Sequence, residues 1–264
     1  MVEGLEELAK MEYPGRVIIL GRDNCGENIV VYGLSGRSES SQARRLVKDA
    51  NEERISIEVT DQAQLEKGDP ALLVYDAITT VKTIRGEGIT VVSNGAQTNL
   101  IAGFVSRLSA RPAGIEMPFE SFLPFAFCQP HIMRTKDNRD IDLACYEPDS
   151  PNFTPRISGA LRDNFGMISI IKRSVDDSPL ICFYRFPLAA GQGKMIATYD
   201  GPNPTGKGEP IPAFKGEPRD VCLRLGLEDT AARIYEAMGK FVVSVACYNP
   251  SKGECAIKNL HEKR

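Results

Sequence analysis

Short apolar runs that come in pairs, each pair joined by turn-forming residues, constrain this chain more than any other feature. Residues 17–20 are a compact apolar run, residues 21–28 break it with Gly21, Asp23, Asn24 and Gly26, and residues 29–34 resume it. The pattern recurs over 157–161 and 167–171 around Asn164, Phe165 and Gly166, and again over 241–247 and 254–257 around Asn249, Pro250 and Gly253. Such pairs close as hairpins, because antiparallel neighbours need only a short connection whereas parallel ones need a crossover of about a dozen residues or more. Further strands are expected over 54–60, 71–75, 89–92, 180–186 and 194–199. Apolar spacing of three and four predicts helices over 97–108 and 227–240, with a shorter one between prolines at 117–126. Hairpins with helices grouped between two strand-rich halves predict an α+β fold with antiparallel sheets, not a doubly wound parallel one.

No composition break or internal repeat divides the chain, so residues 1–264 read as one domain. An amphipathic, acidic arm occupies residues 1–12, and an irregular stretch rich in Gly, Pro and Lys runs over about 187–219. Hydrophobic residues at 42% and charged residues at 25% are the balance of an ordinary soluble globular protein. The net charge of -3 offers no broad attraction to nucleic acid or to an anionic membrane. A local pocket of Arg and Lys could still hold a small phosphorylated ligand. Seven scattered cysteines include no C-x-x-C pair, and His131 and His261 are the only imidazoles, so no metal site is expected. Reduced thiols and the absence of an apolar leader or membrane-length run suggest a cytoplasmic protein.

Polar residues concentrate in three places. Tyr146, Glu147, Asp149 and Arg156 share a stretch with Pro148, Pro151 and Pro155, whose fixed φ angles argue for a stiff loop feeding the 157–171 hairpin. A stiffened loop mounts active-site groups well, although a solvated connector would look the same. Ser35, Ser38, Ser40 and Ser41 surround Gly36 and Arg37, a set that can suit an oxyanion but on composition alone reads first as a polar loop capping a segment over 42–46. Ser93, Asn94 and Gly95 end a strand just before a helix, where free backbone donors can meet a ligand oxygen or simply cap the helix. The run from Gly201 to Gly208 satisfies G-x-x-x-x-G-K but puts Gly208 where a P-loop needs Ser or Thr, and two prolines interrupt it. His131, beside Cys128 and Pro130, reads as structural.

Four patterns in series, Tyr13-Pro14-Gly15-Arg16, Ser35-Gly36-Arg37-Ser38, Ser93-Asn94-Gly95-Ala96-Gln97-Thr98 and the stretch from Tyr146 to Gly159, resemble the archaeal-type inosine monophosphate (IMP) cyclohydrolases over about residues 13–173. The resemblance implies a four-layer αββα sandwich of the N-terminal-nucleophile hydrolase type. It also implies closure of 5-formamidoimidazole-4-carboxamide ribotide (FAICAR) to IMP and water, the last step of de novo purine biosynthesis. On the matching positions it implies catalytic roles for Glu147, Tyr75 and Arg37. Nucleotide contacts would come from Asn94, Gly95, Ser38, Arg156 and Lys172. No cofactor or metal is implied, and the expected partner is the small-molecule nucleotide, with a homo-oligomer left open. An amidohydrolase on the same fold would need a freed Ser, Thr or Cys at a strand start, and a non-catalytic nucleotide sensor would bind IMP without turnover.

Overall fold

The computed structural model describes residues 4–49, 53–67, 69–82, 88–109, 117–204 and 209–261. In chain order its strands are β1 (Arg16–Arg22), β2 (Asn28–Ser35), β3 (Arg44–Lys48), β4 (Arg54–Val59), β5 (Asp76–Lys82), β6 (Gly88–Ser93), β7 (Ile132–Arg134), β8 (Asp140–Asp142), β9 (Arg156–Arg162), β10 (Phe165–Arg173), β11 (Pro179–Pro187), β12 (Gln192–Ala197), β13 (Arg219–Cys222), β14 (Val242–Asn249) and β15 (Glu254–Asn259). The helices are α1 (Leu5–Lys10), α2 (Glu39–Gln42), α3 (Gln62–Lys67), α4 (Pro70–Leu73), α5 (Gln97–Ser109), α6 (Phe122–Ala126) and α7 (Leu227–Ala237).

Two large sheets result, and every pairing in them is antiparallel. One is six-stranded, in the order β13-β12-β1-β2-β14-β15; the other is seven-stranded, in the order β11-β10-β9-β6-β5-β4-β3. The three hairpins expected from turn chemistry all form: β1 with β2, β9 with β10, and β14 with β15. The fold is α+β. A continuous apolar core joins the sheets, drawing Ile18, Leu20 and Leu34 from one and Ile55, Ile78, Ile157 and Ile168 from the other. Burial of branched aliphatic side chains from both sheets, each worth about 1.5–3 kcal/mol, is the main force holding them face to face. Helix α7 packs on β14, β15 and β2, and α5 packs on β5 and β6, where Ile101 and Val105 meet Ile89, Val91 and Ala160. Among the described residues no helix is long and apolar enough to cross a membrane.

Two local readings need correction. Residues 71–75 are not a strand: Pro70–Leu73 is a helical turn, in which Leu72 and Leu73 donate to the Asp69 carbonyl, and the strand begins at Asp76. Proline at the first helical position starts the turn, and the β-branched run Ile78, Thr79, Thr80 and Val81 carries the strand instead. The segment over 42–46 is not helical either. Ser38 caps the four-residue α2 with a reciprocal bond to Ser41, and Arg44 then opens edge strand β3. The charged residues 137–142 end in β8, which pairs with β7 as a two-stranded ribbon. The second half of the P-loop-like run, residues 205–208, lies outside the described residues.

Candidate active site

Both sheets contribute to one polar cluster at the end where β1 and β9 begin and β6 finishes. The loop between β8 and β9 is tied shut on itself. Glu147 N donates to the Thr154 carbonyl at 2.9 Å, and the Asp149 carboxylate accepts from Thr154 N at 2.6 Å and from Thr154 Oγ1. Thr154 Oγ1 also meets the buried Tyr199 hydroxyl at 2.6 Å. The prolines supply stiffness, but Asp149 is the keystone, and the loop thereby presents Glu147 in one place.

Glu147 faces Arg156 at 3.4 Å, with side chains 26% and 2% exposed respectively. Protein encloses most of the Glu147 side chain and leaves about a quarter of its surface open. Its carboxyl is raised above the usual carboxylate range, because burial disfavours the charge more than Arg156, Arg16 and Arg44 favour it, and Asp149 adds to the rise. Such a group can both accept and return a proton nearer neutral pH than a free carboxylate can.

Arg156 is fixed by its own bonds. Nε donates to the Cys145 carbonyl at 2.8 Å, Nη1 reaches Gln97 Oε1 at 3.3 Å, and buried Nη2 has no partner among the described residues. Arg16 heads β1 and lies among Tyr75, Tyr32, Tyr13 and Glu147. Burial opposes its charge, and those surrounding oxygens more than offset that opposition. Its buried Nε likewise lacks a partner. Arg44, 2% exposed, donates from Nε to the Ser41 carbonyl at 3.0 Å, and both burial and the neighbouring Arg16 press its pKa downward. Tyr32 and Tyr75 share a hydroxyl–hydroxyl bond of 2.8 Å beside these two arginines, which links the sheets across the core. Three guanidiniums therefore converge on a region whose main carboxylate is Glu147, with donors left over. Buried donors are rarely left unpaired, and an anionic ligand is what this surplus fits.

The expected residues fall into three groups. Glu147, Tyr75 and Arg156 belong to this cluster, linked by Arg16. Asn94 is buried and already committed: its Nδ2 donates to the Pro155 carbonyl at 2.8 Å, and its Oδ1 accepts from Gln97 Nε2 at 2.8 Å and from Ile157 N at 2.9 Å. It clasps the end of β6 to the start of β9, with one N–H to spare. At Gly95 a Cβ would stand 2.6 Å from Gln97 Oε1 and 3.2 Å from Arg156 Nη1, so a side chain there would push into the Arg156 brace. Arg37 and Ser38 make no hydrogen bond or ion pair with the cluster among the described residues. Arg37 is exposed, covers the Tyr13 ring at 4.9 Å and donates to Asn203 Oδ1 at 2.7 Å, while Ser38 is the exposed cap of α2. Lys172 is half-buried on β10, in register with Leu180 and on the same face as core residues Ile168 and Ile170, and it makes no ion pair among the described residues. Sequence reasoning missed Arg16, Arg44 and Tyr32. The available signal was an arginine set directly before the wholly apolar Val17, Ile18, Ile19 and Leu20, where an ordinary solvent-facing charge is out of place.

Among the described residues no group of three or more His, Cys, Asp or Glu side chains could hold a metal ion. No curated protein matches the sequence. The family model for IMP cyclohydrolase-like protein matches residues 13–113 and 136–253, a span that contains Arg16, Tyr32, Arg44, Tyr75, Glu147 and Arg156. The match takes in most of the chain and every member of the cluster, and the chain belongs to the IMP cyclohydrolase-like family.

Proposed function

We propose that the protein closes the second ring of a purine nucleotide, converting FAICAR to IMP and water. The observation that carries this reading is the convergence of Arg16, Arg44 and Arg156 on a carboxylate and a phenol pair, with a buried nitrogen on two of them that has no partner among the described residues. The guanidinium surplus suits a nucleotide monophosphate, and Glu147 with Tyr75 suits the proton traffic of ring closure. Both reacting groups belong to one substrate molecule, so a fixed conformer, proton transfer and charge stabilisation suffice without a covalent enzyme nucleophile.

In this mechanism the carboxamide nitrogen attacks the formyl carbon and gives one proton to the Glu147 carboxylate. The formyl C=O π bond breaks as its oxygen takes the Tyr75 proton. Dehydration then breaks the C–O bond. Glu147 returns its proton to the departing hydroxyl, which leaves as water, and the Tyr75 phenolate takes the proton of the former formamide nitrogen as the C=N bond forms. Both side chains end as they began. We assign Arg156 to phosphate recognition alongside Arg16 and Arg44, with Lys172 carried as a further phosphate contact by the resemblance, while Asn94 and Gly95 keep the Arg156 brace in position and Arg37 with Ser38 are assigned to outer nucleotide contacts.

The reading carries with it the αββα sandwich of N-terminal-nucleophile hydrolases, which the packing of α7 and α5 on different sheets supports. Hydrolase chemistry does not follow from that architecture. Strand β1 is headed by Arg16 rather than by Ser, Thr or Cys, so an amidohydrolase draws no support. The test is the absorbance change when purified protein is mixed with FAICAR, with and without chelator. Formation of IMP at equal rates in both is expected. Binding of IMP without turnover would make the protein a nucleotide sensor.

A further inference from the structure

Tyr32 was not anticipated from sequence, and its burial favours one direction of hydrogen bonding over the other. It lies mid-strand in β2, between Ile18 of β1 and Ala246 of β14, wholly buried in the inter-sheet core. Among the described residues the one hydrogen-bond partner of its hydroxyl is Tyr75, at 2.8 Å. A buried hydroxyl with a single partner donates to it, because the alternative leaves an O–H with no acceptor in an apolar core. The Tyr75 hydroxyl likewise has no other partner among the described residues, but only Tyr75 keeps any open surface, so the arrangement in which Tyr32 donates leaves the spare hydrogen where an incoming ligand can meet it. Tyr75 keeps 5% of its surface open and precedes β5, with its backbone carbonyl held by Ile57 N at 2.9 Å. Arg16 from β1 and Arg44 from β3 lie beside the same pair.

We infer that Tyr32 is a positioning residue, which commits Tyr75 to donate its proton outward to the oxygen lost in ring closure and then stabilises the phenolate that remains. This rests on the cyclohydrolase reading and extends it to a residue in the core that touches no substrate. When Tyr75 gives up its proton, the Tyr32 O–H becomes a donor to a charged acceptor, a bond roughly twice as strong as the neutral one. The gain appears in the transition state and not on substrate binding, so it belongs in kcat rather than KM.

The experiment is a double-mutant cycle over Tyr32→Phe and Tyr75→Phe, with FAICAR as substrate and thermal unfolding as the folding control. Tyr32→Phe is expected to lower kcat by about tenfold while KM stays within about twofold. The Tyr32→Phe/Tyr75→Phe protein should be no slower than Tyr75→Phe alone, since Tyr32 acts only through Tyr75. Additive losses, or an equal rise in KM, would reduce Tyr32 to a packing residue and overturn the inference. Fluorotyrosine at position 32 keeps the shape and strengthens the donor, so kcat at least equal to that of the natural protein is expected even if Tyr32→Phe fails to fold. A fall in kcat with fluorotyrosine also overturns it. An inactive natural protein overturns the cyclohydrolase reading and this inference with it, whereas an active one with an additive cycle overturns this inference alone.

Discussion

Arg156 meets Glu147 across 3.4 Å, yet its second terminal nitrogen, buried, has no partner among the described residues. The pair is not a closed salt bridge that merely fastens the loop to β9. It holds the carboxylate in a partly enclosed site and keeps one strong donor in reserve for something that arrives.

Glu147→Gln separates the chemical role of that carboxylate from its structural cost. General acid–base help is worth about 10²–10⁴-fold, so kcat should fall by that order while IMP affinity changes little. The stability effect runs the other way. Burial first, and Asp149 further down, raise the Glu147 carboxyl above its ordinary value of 4.5 in the folded protein. A carboxyl raised on folding contributes stability while protonated, below the unfolded value, and loses it as pH rises through the folded value. At neutral pH the charged group is therefore a net burden. Glu147→Gln should melt higher than the natural protein at pH near 7, by the order of 2 °C, with the gap closing toward about pH 4. Loss of IMP binding with kcat retained would assign Glu147 to nucleotide holding.

Arg44 offers the same contrast in the cationic half of the site. Burial, and then Arg16, disfavour its charge, and its exposure is 2%. Replacing a poorly compensated buried ion by an apolar residue of similar length is often neutral or stabilising. Arg44→Met is expected to raise the melting temperature of the ligand-free protein by about 2–4 °C and to weaken IMP binding by roughly tenfold or more. Calorimetric titration with IMP and a thermal melt check both halves. Unchanged affinity would remove Arg44 from the nucleotide site.

Much of this arrangement is legible in sequence, and what escapes has a physical cause. Hairpins announce themselves because Asn164 and Gly166, or Asn249, Pro250 and Gly253, put turn chemistry between β-branched runs. Helices α5 and α7 are long enough for their apolar spacing to be unambiguous. Strand β3 is short and opens with Arg44 and Arg45, so nothing local distinguishes it from a solvated turn. Its outer edge is covered by Asn259, which exchanges two hydrogen bonds with the backbone of Leu46 from 213 residues away. The site divides the same way. Glu147 stands out because prolines frame it. Arg16 and Tyr32 hide in β1 and β2, since only the meeting of the two sheets turns a strand arginine and a core tyrosine into chemistry.

Arg37 is an expected site residue with no hydrogen bond or ion pair to the Glu147 cluster among the described residues. Its guanidinium lies over Tyr13 and is anchored to Asn203, on the exposed side of the aromatic pair that Tyr13 forms with Tyr199. An exposed cation away from the reacting groups attracts an anionic substrate more than it stabilises a transition state. Arg37→Ala should raise KM by about threefold to tenfold at low salt, less at high salt, with kcat within about twofold. A kcat loss beyond about tenfold would return Arg37 to the reacting centre.

Asp149→Asn tests whether the keystone, rather than the prolines, fixes Glu147. In the natural loop both carboxylate oxygens accept from Thr154, one from its backbone N–H and the other from its hydroxyl, so Tyr199 must donate to the threonine oxygen. An Asn side chain offers one acceptor and one donor. Whichever way it turns, either the Thr154 N–H loses its oxygen, or the hydroxyl chain reverses and buried Tyr199 must find a new acceptor. Burial already raises the Tyr199 pKa, so ionisation is no escape. Losing a charge-assisted bond in such a place costs about 1.5–3 kcal/mol. The backbone bond from Glu147 to Thr154 should then exchange its hydrogen faster, and the carboxylate should lose its fixed position. Misplacement by about an ångström can cost as much as 10²-fold, so kcat should drop by about ten- to a hundredfold although Asp149 has no part in proton transfer. Hydrogen exchange at the Glu147 amide and steady-state kinetics on the same preparation are the measurements. Faster exchange with unchanged kcat would mean that Glu147 needs no preorganisation, and slow exchange with wild-type kinetics would hand the loop back to its prolines.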